Sequence, residues 1–412
     1  MPLRIYGNSK TVGFIGTKKM AGGRPDQGII GRNLIQSYQR RIYKEEVSAM
    51  WKNEEDQKDM TVQCAGEMWL KNKKTAVKDS TYDKYFNSFR GMIIPYIGDV
   101  QISGLTNGLI EDYIETLSKK GYASKTITDT MSILKGILSY AGLHGAVWPA
   151  NLKVIRVRSD QEKADIRVFT EEEQASLMEY LSSNQSPRNM GIQIALYTGL
   201  RVGELCALTW DDIDLDRKII HVRRTMQRIR SRKSTGAKTK IVCTTPKSRT
   251  SKRDIPISDK ILPQLYFLWN LAWIRTSYTS QDTAIPSRQK PDQPSASADT
   301  CEKQEKIYRM RREQLSESGL EELRKSYILT GAGSEYIEPR NMQYQIAKAL
   351  KQCGLEPAGF HATRHSFATR CAEKGCETKA LSEILGHSSV TITLNRYVHP
   401  SMEAKKSVID KL

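Results

Sequence analysis

The sequence predicts a mainly helical protein with a small β component, an α+β chain divided into two large domains. Three observations carry this. The chain has 412 residues, and a domain takes about 100–200, so two or three domains are expected. Apolar residues recur at helical spacing from about residue 57 to 145. Short β-type pieces, Ile219 to Val222, Ile241-Val242 and Ile255 to Ile257, appear further on, within and just after a strongly basic stretch.

Residues 1–56 hold ten basic against six acidic residues and read equally as a small arm-binding domain or a flexible basic tail. Residues 57–150 read as a helical bundle. Met60 to Lys71 carries Val62, Met68, Trp69 and Leu70. Thr81 to Ile94 carries Tyr82, Tyr85, Phe86, Phe89, Met92 and Ile93, and Pro95 is expected to break it. Asn107 is placed as the cap of a helix to Leu117, and Ser124 as the cap of one that turns Ile127, Met131, Leu134, Ile137 and Leu138 inward.

Residues 151–168 lack periodicity and are taken as a linker. Thr170 with Glu173 three residues on forms a capping box, and a second domain, 169–412, starts there. Within it, residues 276–300 are rich in Ser, Thr, Asp, Gln and Pro and read as a loop. A polar helix follows to Ser326, so 276–326 looks like an insertion.

The formal net charge is +18, which points to a polyanionic partner. Arg217 to Arg253 contains 14 Lys and Arg and no Asp or Glu. Interleaved with β-type pieces, it reads as a basic β-ribbon along phosphates. The longest apolar run of the chain, Leu262 to Ile274, has 13 residues, short of the ~20 that span a bilayer. No signal peptide is legible at the start. Seven scattered cysteines without a Cys-x-x-Cys pair fit a reducing, cytoplasmic setting.

The chemistry concentrates in four short segments. Ile192 to Tyr197, a break at Thr198-Gly199 and a second helix from Arg201 with Leu205 and Leu208 put Arg201 near a helix N-terminus, where anions are attracted. Glu204 can brace it. Lys240, Lys247 and Lys252 all lie near a predicted hairpin, and the setting Pro246-Lys247-Ser248 favours Lys247. His361 and Arg364 share one helical face. His387 stands in Leu385-Gly386-His387, and Tyr397 follows ten residues later in Leu394-Asn395-Arg396-Tyr397. Arginines neutralise phosphate oxygens, imidazoles move protons, a lysine protonates a leaving oxygen and a phenol attacks phosphorus. A zinc site of His361, His365 and His387 is the rival, but Ala362 stands where a zinc hydrolase has its glutamate.

These segments resemble the tyrosine recombinase (phage integrase) family, closely over 169–412 and loosely over 57–150, and are similar to integrases of phages and integrative or conjugative elements. Thr363 stands where the family usually has Leu. The resemblance implies a helical core DNA-binding domain joined to the catalytic domain as a C-shaped clamp on duplex DNA. It implies a catalytic set of Arg201, Lys247, His361, Arg364, His387 and the nucleophile Tyr397, with Glu204 in support. It makes His365 structural. Arg223, Arg224, Arg228 and Arg230 are the expected DNA contacts, and Arg253 a phosphate or structural contact. The implied activity is site-specific strand cleavage and exchange through a 3′-phosphotyrosyl bond, integrating and excising a mobile element. The implied partners are double-stranded attachment-site DNA, three further copies of the chain in a tetramer, and accessory DNA-bending or excision factors; no cofactor and no membrane are involved. A type IB topoisomerase-like relaxing enzyme and a silent DNA-binding regulator are the alternatives.

Overall fold

The computed structural model describes residues 60–151, 167–231, 239–246, 249–279, 298–331 and 334–397, with Lys406, Ile409 and Asp410 near the end. The basic N-terminal segment, most of the expected linker, Lys247 and most of the tail after Tyr397 lie outside the described residues. The chain divides into two units, residues 1–160 and 161–412. The architecture is mainly helical with two small antiparallel sheets.

In the first unit, α1 (Val62–Ala76) is capped by Thr61, whose hydroxyl accepts from the Cys64 N–H. The helix α2 (Asp79–Ser88) passes into a π turn, Phe89–Ile93, and then α3 (Ile94–Ile97). Pro95 therefore does not stop the helix at Ile94. It sits in the first turn of α3, where its missing N–H is tolerated, and the wider π turn before it absorbs the misfit. Tyr113 donates its O–H to the Met92 carbonyl of that π turn at 2.7 Å. The next helix, α4 (Asn107–Lys119), is capped by Thr106, not Asn107. The Thr106 hydroxyl accepts from the Leu109 N–H, and the Asn107 amide oxygen instead accepts from the Asn151 N–H. Ser124 is likewise the first helical residue of α5 (Ser124–Gly142) and not its cap; Ala123 precedes it without a side-chain bond.

The first core gathers Val62, Trp69, Phe89, Ile93, Ile110, Leu117, Leu134 and Ile137, with Met131 at its margin. Gly66 is required there by close approach: a Cβ would lie 2.0 Å from the Phe89 ring.

The second unit opens with α6 (Glu171–Ser183). Its capping box forms as the sequence predicts, with Thr170 Oγ1 accepting from the Glu173 N–H and the Glu173 carboxylate accepting from the Thr170 N–H. Then come α7 (Pro187–Thr198) and α8 (Val202–Leu205). The helix from Arg201 is thus a single turn, and Leu208 lies beyond it as a buried residue. Strands β1 (Ile213–Asp214), β2 (Ile219–Val222), β3 (Thr225–Arg230), β4 (Thr239–Thr244) and β5 (Arg253–Pro256) follow. One sheet has the order β1-β2-β5, the other pairs β3 with β4 from Thr225 opposite Thr244 to Arg230 opposite Thr239.

The apolar run is α9 (Leu262–Thr279), a buried helix that continues into the stretch expected to be a loop. No helix among the described residues is long and apolar enough to cross a membrane. The polar insertion contributes two helices rather than one, α10 (Ala298–Glu313) and α11 (Glu317–Lys325). Tyr308 of α10 packs its ring against Tyr266 and Trp269 of α9. The last elements are α12 (Pro339–Gln352), α13 (His361–Glu373), α14 (Thr378–Leu385) and α15 (Val390–Tyr397).

Candidate active site

Two glycine-terminated helices build the frame. Gly199 ends α7 in the left-handed region at φ 63°, and Gly386 ends α14 at φ 64°. Both positions favour glycine on backbone grounds, and both are crowded: a Cβ on Gly199 would meet the Phe367 ring at 2.6 Å. The carbonyls at these two ends point at guanidiniums. Arg364, only 1% exposed, donates to the Gly199 carbonyl at 2.8 Å and to the Leu385 carbonyl at 2.6 Å. Arg201 reaches the Gly386 carbonyl at 3.5 Å. Two arginines 163 positions apart in the chain thereby meet at one spot.

Glu204 fixes the spacing between positive charges. Its carboxylate accepts from the Arg201 backbone N–H at 3.1 Å and from Arg201 Nη1 at 2.7 Å. It also accepts from Arg253 at 3.2 and 2.9 Å. Burial alone would push this carboxyl upward, but the hydrogen bonds and charge of Arg253, with the charge of Arg201, hold it below the ordinary range. Arg253 is 8% exposed and also donates to the Ile384 and Ser251 carbonyls. Of its two expected roles the structural one describes its surroundings.

Helix α13 carries His361, Arg364 and His365. Burial first, then the nearby Arg201, pull Arg364 down to about 9, still high enough to keep the guanidinium charged at neutral pH. His361 is the first residue of the helix and exposed. Partial desolvation of its ring first, then Arg364, Arg201 and Arg396, push it down to about 4. His365 is buried, and its Nδ1 lies 2.9 Å from the Tyr397 hydroxyl oxygen. His361 stands edge-on to the His365 ring, centroids 4.6 Å apart. Thr363, the departure from the family's usual leucine, is fully buried with its hydroxyl donated to the Phe360 carbonyl, so the polar substitution leaves no orphan group.

On α15, Tyr397 is 5% exposed and packs with Ala368, Leu381 and Leu385. His387 stacks nearly parallel to it, 6.2 Å between centroids and 6° between planes. The Nδ1 of His387 lies 2.8 Å from Thr393 Oγ1. Burial, then Arg364, Arg201, Arg396 and Arg253, lower His387 to about 4. Arg201, His361, Arg364, His387 and Tyr397 are thus brought together, with Glu204 beneath them. His365 and His387 each turn a ring nitrogen to a hydroxyl, and among the described residues no group of three His, Cys, Asp or Glu could hold a metal ion.

The basic ribbon differs from its appearance in sequence. Its arginines find acids that lie outside the run. Arg223 pairs with Asp254 at 2.5 Å, Arg224 with Asp212 at 2.6 Å, and Arg228 with Glu338 at 2.5 Å. Arg230 is exposed at the end of β3. Sequence reasoning missed the contact of His365 with the phenol; the four-residue spacing from His361 was legible, but nothing in one sequence says which of two neighbouring imidazoles faces Tyr397.

The model described as the phage integrase family matches residues 167–264 and 293–404, and that of the N-terminal SAM-like domain of phage integrases matches residues 66–118. The chain is similar to a XerC-like tyrosine recombinase of Caldanaerobacter subterraneus subsp. tengcongensis, 28% identical over 81% of this chain and 78% of that one. It is similar to the ICEBs1 integrase of Bacillus subtilis at 24%, over 80% and 77%. In fold it resembles the Tn1549 transposon integrase solved with a circular intermediate DNA, with a TM-score of 0.62, 20% identity, and coverage of 85% and 99%. With two family models matched in chain order and the arginines, histidines and tyrosine converging on one spot, this chain belongs to the phage integrase family and is a tyrosine recombinase.

Proposed function

We propose that this recombinase cuts and rejoins double-stranded DNA at the ends of a mobile element, integrating and excising it, with Tyr397 as nucleophile. The Tyr397 oxygen attacks a scissile phosphate, forming a 3′-phosphotyrosyl bond and releasing a 5′-hydroxyl. Arg201, Arg364 and His387 hold the phosphate oxygens as negative charge builds. Arg364 is oriented for this by the Gly199 and Leu385 carbonyls, Arg201 by Glu204. The resemblance gives His361, exposed at the start of α13, a part in taking the tyrosine proton. Lys247 protonates the leaving oxygen; this role rests on its setting in the sequence. A 5′-hydroxyl of a partner strand then reverses the step, so the phosphodiester energy is kept in the covalent bond.

The observation that carries the reading is the convergence of Arg201 and Arg364 beside the His387–Tyr397 stack. Duplex DNA as partner is supported by the net charge of +18 and by the DNA-bound integrases that share the fold. Of the ribbon arginines expected to meet phosphate, Arg228 and Arg230 are exposed and contribute phosphate contacts, with Arg223 beside them; Arg224 is held by Asp212 and supports the ribbon. Exchange between two duplexes takes four copies of the chain. The seven cysteines are free thiols, which suits the cytoplasm. The test is to trap the covalent complex on a nicked duplex bearing an end of the element that encodes the chain. A denaturation-resistant adduct with the native protein and none with Tyr397→Phe is expected; an adduct with both overturns the assignment.

A further inference from the structure

We infer that His365, and not His361, takes the proton of the Tyr397 hydroxyl during strand cleavage. The inference rests on the assignment of Tyr397 as nucleophile. Geometry carries it. The phenol oxygen has His365 Nδ1 at 2.9 Å, within the reach required of a general base. His361 meets the His365 ring edge-on, with centroids 4.6 Å apart. The ring of Tyr397 is docked on its own chain by Ala368, Leu381 and Leu385, so the contact belongs to a seated nucleophile.

The step balances as follows. The O–H proton moves to His365 Nδ1. The oxygen's electron pair forms the new P–O bond. The bond from phosphorus to the 5′ oxygen breaks, and that oxygen keeps the pair and takes a proton from the general acid. In the reverse step His365 returns its proton to the phenol.

The charges around His365 add a condition. Burial first, then His361 and Arg364 on its own helix and Arg396 on α15, hold it down at about 4. A ring so placed is neutral, hence free to accept, but a weak base. An anionic phosphodiester held by Arg364 offsets part of that positive surround and raises the basicity of His365.

The experiment measures single-turnover adduct formation on the nicked duplex, with native DNA binding by gel shift as the check of folding. The variants are His365→Asn, His365→Gln and His361→Asn, each with tyrosine or a fluorinated tyrosine at 397, whose phenol gives up its proton more readily. Neither amide can take up a proton. Both His365 variants are expected to cleave about 100-fold more slowly and to be largely restored by the fluorinated residue, while His361→Asn is not restored. Native rates in both His365 variants, or restoration confined to His361→Asn, would overturn the inference while leaving Tyr397 as nucleophile. An adduct formed by Tyr397→Phe would remove the nucleophile assignment itself, and the inference with it.

Discussion

Glu204 grips Arg253 through both carboxylate oxygens while one of them also accepts from the Arg201 guanidinium and the other from the Arg201 backbone N–H. One buried acid thus tethers the guanidinium that faces the candidate phosphate position to one that belongs to the core. Arg253 in turn is tied to the Ile384 carbonyl in the last turn of α14, next to the Leu385 carbonyl that holds Arg364. The arginines therefore form one connected network, and their spacing is set before any substrate arrives.

Glu204→Ala should destabilise the second unit by about 3–5 kcal/mol, because it leaves the buried Arg253 unpaired. Thermal unfolding measures this. Glu204→Gln keeps the shape and some hydrogen bonds and should lose less. An unchanged melting temperature in the alanine variant would show that solvent reaches Arg253.

Tyr397→Phe removes one oxygen and its bond to His365. Covalent attachment should vanish while affinity for the element's end stays near native, read by gel shift beside a denaturing gel.

The ribbon arginines should separate into two kinds. Arg224 is paired with the buried Asp212 and with Thr209, so Arg224→Gln should cost stability and change the salt dependence of DNA binding little. Arg230, exposed at the end of β3, should weigh on binding instead: Arg230→Gln should shrink the slope of log affinity against log salt by about 0.9. Equal slopes for the native protein and Arg230→Gln would place that face away from phosphate.

Stability should fall as pH drops from about 6.5 towards 4. His361, His365 and His387 are each lowered to about 4, against an ordinary value near 6.5. Between those limits the unfolded chain binds more protons than the folded one, so acid favours unfolding; above the window the contribution is constant. Denaturant unfolding at pH 7 and pH 5 checks the sign, and His387→Asn should reduce the difference.

Cleavage should proceed in EDTA, since Arg201 and Arg364 supply the positive charge at the site. Loss of adduct in EDTA with recovery on adding Mg²⁺ or Zn²⁺ would assign that charge to a metal instead.

Much of this protein is local and was therefore legible in the chain. The Thr170–Glu173 capping box, the break at Gly199, the helix with His361 and Arg364 on one face and the helix ending in Tyr397 each depend on residues a few positions apart, where propensity and capping decide. The family motifs are likewise short strings. Caps shifted by one residue at Thr106 and Ala123 because neighbouring positions compete for the same role, and Pro95 was accommodated because a π turn was available in a packed core. What only the tertiary structure decided is which distant groups face each other. Within a basic run that holds no acid in 37 consecutive residues, Arg223, Arg224 and Arg228 are paired with Asp254, Asp212 and Glu338, because pairing depends on distance in space and not along the chain. Arg253 became a buried partner of Glu204 for the same reason. Of two imidazoles one turn apart, His365 meets the phenol, because the docking of α15 against α13, which no local pattern encodes, selects the face on which Tyr397 lies.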